Sequence, residues 1–346
     1  MRTLIRLRKS TGTPERLRSE SKRCTRIALC CSLTLLLLFS TAYAEDPSGL
    51  QEIESGRFAP AAWVPGPASS IRVVVWNIDR GLQLSRVIDF LRQAKPDLVL
   101  LQEVDLNARR THHLDVAREI AEKLKMNYVF GREFQELTQG SRTSPAYHGQ
   151  ATLSRWPLSN PRLIRFREQS NFWRPRWFLP RMELLQERLG GRMALVCDVN
   201  IAGQTLVAYN LHLESRGNDR LRGAQLLEVL HDSRSYSSAV PLIVAGDMNF
   251  DLSQGDAPER IRNAQFRNSF ADGAQTATAP SSFFHRGRPI DWILTGGPIQ
   301  GSDARVYQSV SGSDHFPLSL TLSFTSLSAS FPEQPVEILR SRLPSH

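Results

Sequence analysis

The chain has 346 residues, with 43 Lys and Arg against 34 Asp and Glu and only four cysteines. Its hydrophobic fraction of 41% and aromatic fraction of 8% are ordinary for a globular protein. These values exclude a disordered charged tail, a disulfide-stapled miniprotein and a polytopic membrane protein. The length allows one large domain or two modest ones, and the net charge of +9 has to be located along the chain before it can indicate a partner.

Most of the positive charge lies at the N-terminus. Residues 1–44 hold nine Arg and Lys and two Glu, a net of +7, which leaves +2 for residues 45–346. The basic stretch runs into the apolar segment Ile27–Phe39 and then into a small–x–small triplet that ends at Ala44. This pattern predicts a signal peptide over residues 1–44 and an exported protein, periplasmic or secreted. The alternative is an uncleaved membrane anchor, for which the apolar segment is shorter than the roughly 20 residues that span a bilayer.

Cysteine usage agrees with export. Three of the four cysteines lie in the leader, which leaves Cys197 alone in the remaining chain. A single cysteine forms no internal disulfide, and its place in the apolar run Met193–Cys197 favours a buried strand position over a catalytic thiolate.

Apolar runs and helical stretches alternate between residues 70 and 324, after a Pro/Ala-rich lead-in at 45–69 and before a polar tail at 325–346. The predicted strands are Ile71–Ile78, Asp97–Gln102, Gln150–Ser154, Met193–Ile201, Gln204–Leu213, Val240–Ala245, Ile290–Thr295 and Pro317–Phe324. The predicted helices are Leu84–Ala94, Leu114–Lys125 and Asp219–Asp232. Several strands are apolar at consecutive positions, which predicts that both their faces are covered. We therefore expect one α/β domain of about 250 residues.

Polar residues follow the predicted buried strands repeatedly. The six segments are Asn77–Asp79, Glu103–Asp105, Asn210–Leu213, Gly246–Asn249, Ile290–Trp292 and Ser313–His315. One acidic or amide residue after a strand is more often a turn former than a ligand. Six such segments that mix carboxylates, amides and histidines indicate a site, because ligands gather beyond the carboxyl ends of strands in open α/β sheets.

The residue types select the chemistry of that site. Carboxylates and amides without thiolates favour a hard divalent cation, Mg²⁺ first, with Mn²⁺ or Ca²⁺ as alternatives. The chain has no His-x-x-x-His or Cys-x-x-Cys pair, which disfavours zinc. Histidines beside such a cation indicate protonation or electrostatic work on an anionic substrate, and phosphoester hydrolysis fits this combination best.

The motifs, taken in chain order, resemble the endonuclease/exonuclease/phosphatase superfamily over about residues 70–324. They are Trp76–Asp79, Leu101–Val104, Gly149–Arg155, Asn210–Leu213, Gly246–Asn249, Ile290–Trp292 and Ser313–His315. The resemblance implies a four-layered α/β sandwich, in which two packed mixed β-sheets are flanked by helices. That fold is shared by pancreatic deoxyribonuclease, apurinic endonucleases, inositol phosphate phosphatases and neutral sphingomyelinases.

The same resemblance assigns metal binding. It makes Glu103 the metal-binding glutamate, with Asn77 beside it to position the metal and a phosphate oxygen. Asp314 would be an accessory carboxylate on the metal side. Asp79 matches members that carry an acid two residues after the asparagine.

The resemblance also assigns the catalytic roles. Asp247 would orient or deprotonate the attacking water, and Asn249 would contact the phosphate. His315 would stabilise the pentacovalent phosphate or protonate the leaving group. Asp291 would pair with His315 and keep it charged, because a nearby carboxylate raises the pKa of a histidine. His212 occupies a position where nuclease members carry His and apurinic endonucleases carry Tyr.

Predictions for substrate binding are less specific. Asn210 and Arg222 lie in family-like motifs, although the role of Arg222 on its helix is equally compatible with structure. The segment at 162–192 interleaves arginines with aromatics that include Trp173 and Trp177. Such a segment stacks on bases while pairing with phosphates, rests on a lipid surface, or packs its aromatics on the protein body.

One stretch departs from the family pattern. Gln150 stands where many members have Asn after the glycine. Tyr147 and His148 precede that glycine, and they either line the cleft or lie on a surface loop.

The function predicted from the sequence is an exported, metal-dependent phosphodiesterase, most like a nuclease, which uses in-line attack by water. The alternatives are a membrane-directed lipid phosphodiesterase of sphingomyelinase type and a non-catalytic member that binds a phosphate ligand. The expected partner is a nucleic acid, or else a phospholipid reached by peripheral membrane contact. No protein partner is implied, and we expect a monomer.

Overall fold

A computed structural model describes residues 47–60, 70–176, 178, 182–270, 276–280 and 287–325. The chain divides into two units, of which the smaller, Met1–Pro47 with Arg176–Pro180, falls almost wholly outside those ranges. The predicted leader and nearly all of the predicted C-terminal tail also lie outside them. The larger unit, Ser48–Pro175 with Arg181–His346, carries the fold.

The described residues form fourteen β-strands and four α-helices. In chain order the strands are β1 Ile53–Gly56, β2 Ser70–Arg80, β3 Leu98–Leu106, β4 Asn127–Glu136, β5 Ala146–Ser154, β6 Leu158–Arg165, β7 Arg188–Gly190, β8 Met193–Ile201, β9 Gln204–His212, β10 Leu242–Asp247, β11 Phe266–Asn268, β12 Asp291–Gly296, β13 Ile299–Val306 and β14 Leu318–Phe324. The helices are α1 Leu84–Ala94, α2 Val116–Leu124, α3 Asp219–Asp232 and α4 Ala257–Asn263.

The strands make two mixed sheets. One has the order β1-β4-β5-β3-β2-β14-β13, with β7 paired to β4, and the other has the order β11-β12-β10-β9-β8-β6. Each sheet contains one parallel pair, β2 with β3 in the first and β9 with β10 in the second, and the other pairs are antiparallel. Because the strands of a parallel pair end at the same edge, residues that follow β2 and β3, or β9 and β10, are brought together.

Alternation along β2 divides its side chains between two cores. Val73 and Val75 face the second sheet, in a core that includes Leu195 and Ile243. Their neighbours on β2 point the other way, into a core shared with α1 and α2. A third core joins the outer face of the second sheet to α3 and α4. The layers therefore run helix, sheet, sheet, helix, which confirms the predicted four-layered α/β sandwich.

The helix predictions at Leu84–Ala94 and Asp219–Asp232 agree with the structure at both ends. Apolar spacing located their buried faces, and capping fixed one start, since the Asn218 side chain accepts a hydrogen bond from the Leu221 amide at 3.1 Å. Cys197 lies between the sheets, where burial raises the pKa of its thiol to about 12, as expected for a core residue rather than a nucleophile.

The sequence analysis missed several strands and one helix. The missed strands are β1, β4, β6, β7, β11 and β13, and the missed helix is α4. Strand β1 lies inside the segment at 45–69 that was predicted to be an extended lead-in, and it pairs with β4 at the sheet edge. Strands β1, β7 and β11 have only three or four residues, and β6 and β13 are edge strands with largely exposed side chains, so all five lack the continuous apolar run that identified the central strands. Strand β4 is ten residues long and mostly buried, but the sequence Gly-Arg-Glu at 131–133 interrupts its apolar run.

No helix in the described ranges is both long and apolar enough to cross a lipid bilayer.

Candidate active site

The strand register brings three predicted site residues side by side. On β10, Asp247 is the register partner of His212 on the parallel strand β9 and of Asp291 on the antiparallel strand β12. Gly246 precedes Asp247 with φ +142, and a Cβ there would lie 2.0 Å from the Leu211 carbonyl oxygen. Only glycine allows β9 and β10 to approach this closely next to His212 and Asp247.

Two bulges turn residues of the first sheet toward the same place. The pairing of β2 with β3 shifts register between Asn77 and Arg80, and the pairing of β3 with β5 shifts between Leu101 and Val104. Glu103 lies within the second bulge and has a left-handed backbone, φ +49. Such bulges re-aim side chains out of the regular alternation, which brings the Glu103 carboxylate to the carboxyl edge of the sheet.

A hydrogen bond joins the two sheets at the centre of the site. The amide Nδ2 of Asn77 on β2 donates to Oδ2 of Asp247 at 3.1 Å. The Asn77 Oδ1 accepts from the backbone amide of Asp79 at 3.1 Å, so both ends of the amide are oriented. Asn77 therefore holds Asp247 directly, whereas the sequence analysis assigned it only to the metal and phosphate.

His315 forms a dyad with Asp291. Its Nδ1 lies 2.8 Å from Asp291 Oδ2, and its Nε2 lies 3.7 Å from Asp247 Oδ2. Burial alone would lower the pKa of His315, but the carboxylates of Asp291 and Asp247 raise it well above its ordinary value. The imidazole is therefore held as a cation at neutral pH.

The loop before His315 is fixed by three further hydrogen bonds. The Ser313 hydroxyl donates to the Asn77 carbonyl at 2.6 Å and accepts from the His315 amide at 3.1 Å. The indole N–H of Trp76 donates to the His315 carbonyl at 2.9 Å. The loop is thus anchored to β2 of the first sheet, while its histidine ring contacts residues of the second.

Asp247 has the electrostatics of a proton acceptor. Burial and the nearby Asp291 carboxylate raise its pKa to about 7, against the opposing effect of His315. Its Oδ1 accepts a hydrogen bond from the backbone amide of Asn249 at 2.8 Å. Asn249 has a left-handed backbone, φ +56, and its side-chain Nδ2 donates a hydrogen bond to the Leu213 carbonyl at 3.1 Å.

Three acidic residues, Asp79, Glu103 and Asp314, lie at the rim of the first sheet, and we call them the acidic rim. Burial raises the pKa of Asp79, and the neighbouring carboxylates of Asp314 and Glu103 raise it further. For Glu103, the raising effect of burial is outweighed by nearby basic groups, Arg80 among them, so its pKa lies well below the ordinary value. Arg80 pairs with Asp79, and its Nη2 lies 3.8 Å from Glu103 Oε2.

His212 links the acidic rim to Asp247. Its Nε2 lies 3.5 Å from Asp247 Oδ2 and 3.9 Å from Glu103 Oε1. Its Nδ1 lies 3.8 Å from Oε2 of the buried Glu133. Burial, with the charge of Arg192 in addition, lowers the pKa of His212 well below its ordinary value, so this imidazole is neutral.

The remaining predicted residues lie elsewhere. The Asn210 side chain is buried between the sheets, where its amide donates to the carbonyls of Leu101 and Ala151 and accepts from Gln102. The Arg222 guanidinium donates to Asp219 and to three backbone carbonyls in the loop before α3. Both side chains hold the framework in this structure, and we do not include them among the groups that would meet substrate.

The aromatic segment is described only in part. Trp173 is half-buried between two guanidinium groups, those of Arg188 and Arg216, each 5.2 Å from its ring centre. Trp177 lies outside the described residues. Phe172, next to Trp173, is 47% exposed.

Replacing Asn210 with Ala is expected to lower the free energy of unfolding by about 3 kcal/mol, because two carbonyls and the Gln102 amide lose their buried partner. Chemical denaturation measures this loss. Asn263→Ala, on the exposed end of α4, is the matched control and should change stability little. A stable Asn210→Ala protein with a raised KM would instead restore the substrate-binding role.

Sequence reasoning missed a buried layer of charge beneath the site. Glu133 on β4 forms an ion pair with Arg192 at 2.7 Å, and both side chains are buried. Nothing in the pattern around Glu133 indicated burial, because β4 itself was not predicted. The prediction of a surface loop at His148 was wrong, because this residue lies in strand β5 and is completely buried.

Comparison with known proteins agrees with this arrangement. The sequence model of the endonuclease/exonuclease/phosphatase family matches residues 74–315, a span that begins in β2 and ends at His315. The chain belongs to this family. Its general chemistry is therefore that of a phosphoester hydrolase.

Solved structures resemble this family member in fold. The endonuclease/exonuclease/phosphatase from Beutenbergia cavernae DSM 12333 is 18% identical, with a TM-score of 0.55 over 75% of this chain and 72% of that chain. TDP2 from C. elegans is 17% identical, with a TM-score of 0.50 over 73% and 75% of the two chains. The human Nocturnin catalytic domain, solved with a bound sulfate anion, is 18% identical, with a TM-score of 0.52 over 82% and 100%. A search of curated protein sequences finds no match.

Proposed function

We propose that this family member is a divalent-metal-dependent phosphodiesterase that acts most readily on nucleic acid. The observation that carries the proposal is the position of Asp247, a buried carboxylate with a pKa near 7, between His212, Asn77 and the His315–Asp291 dyad. A proton acceptor and an imidazolium lie within 3.7 Å of each other, which suits the attack of water on a phosphoester.

The acidic rim suits a hard cation. Glu103 and Asp314 both repel Asp79, and a divalent cation would relieve that repulsion better than the single charge of Arg80. Oxygen donors of this kind match Mg²⁺, with Mn²⁺ or Ca²⁺ as alternatives. When bound, the cation would supply Lewis acidity toward a phosphate oxygen.

The side chains divide the remaining work. Asp247 accepts the proton of the attacking water as the new P–O bond forms. His315, held positive by Asp291, stabilises the negative charge that grows on the phosphate as the bond to the leaving oxygen breaks. Asn77 and the backbone of Asn249 keep the Asp247 carboxylate in place while its protonation state changes.

A second candidate substrate is a phospholipid. Large apolar side chains are exposed on the segment that follows Trp173 in the chain, with Met182 at 49% and Leu184 at 85% exposure. Aromatic and apolar side chains beside arginines suit the headgroup level of a membrane. This observation favours a lipid phosphodiesterase of sphingomyelinase type over the non-catalytic alternative.

Export is part of the proposal. It rests on the basic, apolar and small-residue pattern of residues 1–44, which lie outside the described residues. N-terminal sequencing of the protein from membrane-depleted and membrane fractions tests it, since a cleaved product should begin near Glu45. A full-length product held in the membrane would support the anchor instead.

Chelation is expected to reduce turnover to background, because the acidic rim then lacks the cation that screens the incoming phosphate. The assay uses plasmid DNA, RNA, sphingomyelin in liposomes and a bis-aryl phosphodiester, each with Mg²⁺ and with EDTA. Hydrolysis of DNA or RNA that returns when Mg²⁺ is restored supports the proposal. Equal rates with and without EDTA would refute metal dependence, and hydrolysis of sphingomyelin alone would establish the second candidate.

A further inference from the structure

A buried histidine, His148, lies close to the acidic rim. His148 on β5 is completely buried, and its Nδ1 lies 3.0 Å from Oδ1 of the buried Asp105. Asp105 in turn accepts two hydrogen bonds from Arg110, at 2.7 and 2.8 Å. With Nδ1 facing the Asp105 carboxylate, the other ring nitrogen, Nε2, is the one placed to contact a ligand.

That nitrogen has nothing to bind among the described residues. His148 Nε2 is buried without a hydrogen-bond partner. Buried polar atoms are nearly always paired, so this nitrogen calls for a missing ligand. A ring nitrogen from each histidine and a carboxylate oxygen of Glu103 lie within 4.8 Å of one another.

We propose that Glu103, His148 and His212 form a second cation site, which takes a transition metal of the Mn²⁺, Co²⁺ or Zn²⁺ class. Imidazole nitrogens suit these ions, whereas Mg²⁺ prefers a shell of oxygens. The site is separate in chemistry from the all-oxygen rim of Asp79 and Asp314, and it shares Glu103 with that rim. The proposal goes beyond the proposed function, which needs only the hard cation.

One pair of the three ligands is already near the separation that a bound metal requires. His212 Nε2 and Glu103 Oε1 are 3.9 Å apart, and two ligands on one tetrahedral metal lie about 3.4 Å apart. The Arg80 guanidinium approaches the other Glu103 oxygen, Oε2, which leaves Oε1 for the metal. The Asp105–His148 pair also supplies the carboxylate–histidine arrangement that usually orients a metal-bound imidazole.

The buried arginines nearby do not occupy this position. Arg188 Nε lies 2.8 Å from Glu136 Oε1, and Arg192 Nη1 lies 2.7 Å from Glu133 Oε1. Each guanidinium therefore contacts a buried carboxylate, although Glu136 is shared with Arg110, and this contact offsets its repulsion of a bound cation.

Metal binding by the metal-free full chain tests the site. With saturating Mg²⁺ present to fill the oxygen rim, Co²⁺ is titrated by calorimetry, and pulsed EPR of bound Mn²⁺ reports nitrogen ligands. We expect a Co²⁺ affinity that falls roughly 100-fold or more in His148→Gln, since loss of an outer-shell partner alone costs about 10–100-fold. His231→Gln, which removes an exposed histidine on α3, is the control and should bind as the parent does.

Each outcome decides the proposal. Loss of Co²⁺ binding in His148→Gln, with imidazole nitrogen coupling in the parent EPR spectrum, supports it. Unchanged affinity in that variant, or no Co²⁺ binding by the parent, overturns it. If His148→Gln does not fold, the parent spectrum decides alone, and the absence of imidazole coupling overturns the site. Turnover with Mg²⁺ alone is assayed separately, so failure of this site leaves the proposed function independently tested.

Discussion

Replacing Asp247 with Asn is expected to lower kcat by about 10³-fold on the substrate that the panel identifies, which is within the range that loss of a general base produces. The substitution keeps the shape of the side chain and an oxygen for the Asn77 amide, but it removes the charge that accepts the proton of water. His315→Gln should lose a similar factor, because the growing phosphate charge then lacks its imidazolium.

The double variant separates catalysis from folding. When two groups act in the same transition state, removing both lowers the rate by less than the product of the two separate rate losses. The double variant Asp247→Asn/His315→Gln should therefore be only slightly slower than either single variant. Rates are compared at matched circular dichroism, with His231→Gln as the histidine control. Near-parental kcat in Asp247→Asn would remove the proposed base.

Asp291→Asn is expected to move the whole pH profile of kcat/KM toward acid. Asp291 raises the pKa of His315, so its loss brings the basic limb to lower pH, where the imidazolium deprotonates earlier. It also raises the pKa of Asp247 in the parent, so its loss lets the base ionise at lower pH and moves the acidic limb the same way. A shift of about one to three pH units is the size expected for a close charge partner.

The direction in which the acidic and basic limbs of the pH profile move distinguishes an electrostatic role of Asp291 from a structural one. In the parent, activity should rise as Asp247 ionises around pH 7 and fall where His315 loses its proton above that. In Asp291→Asn the rate at pH 8 or above should fall much more than the rate at pH 6. A variant whose profile is lower at every pH but unmoved would make Asp291 a structural residue only.

The central part of the fold could be predicted from the sequence for a simple reason. Apolar runs within β2, β3 and β10 are covered on both faces, so each run is continuous up to the polar residue that ends it. Helices α1 and α3 carry apolar residues at helical spacing, which located their buried faces. The edge strands had no such pattern.

The site illustrates the same division. Asn77, Glu103, Asp247 and His315 stand out in sequence because they interrupt or follow apolar runs. Glu133, which lies beneath His212, carries no comparable pattern, since its burial depends on β4 pairing with β5 and β7. Asn210 is the opposite case, because its motif suggested a site residue. In the structure, both polar atoms of its side chain form hydrogen bonds that join the two sheets.

By itself the sequence determined which strands are buried, the family-like order of the polar segments and the kinds of chemical group available. The tertiary structure decided which of those groups meet, because contacts such as Asn77 with Asp247 join residues 170 positions apart and depend on how the two sheets pack. It also decided protonation, since the raised pKa of Asp247 and the neutral state of His212 arise from burial and from neighbours that no local pattern records.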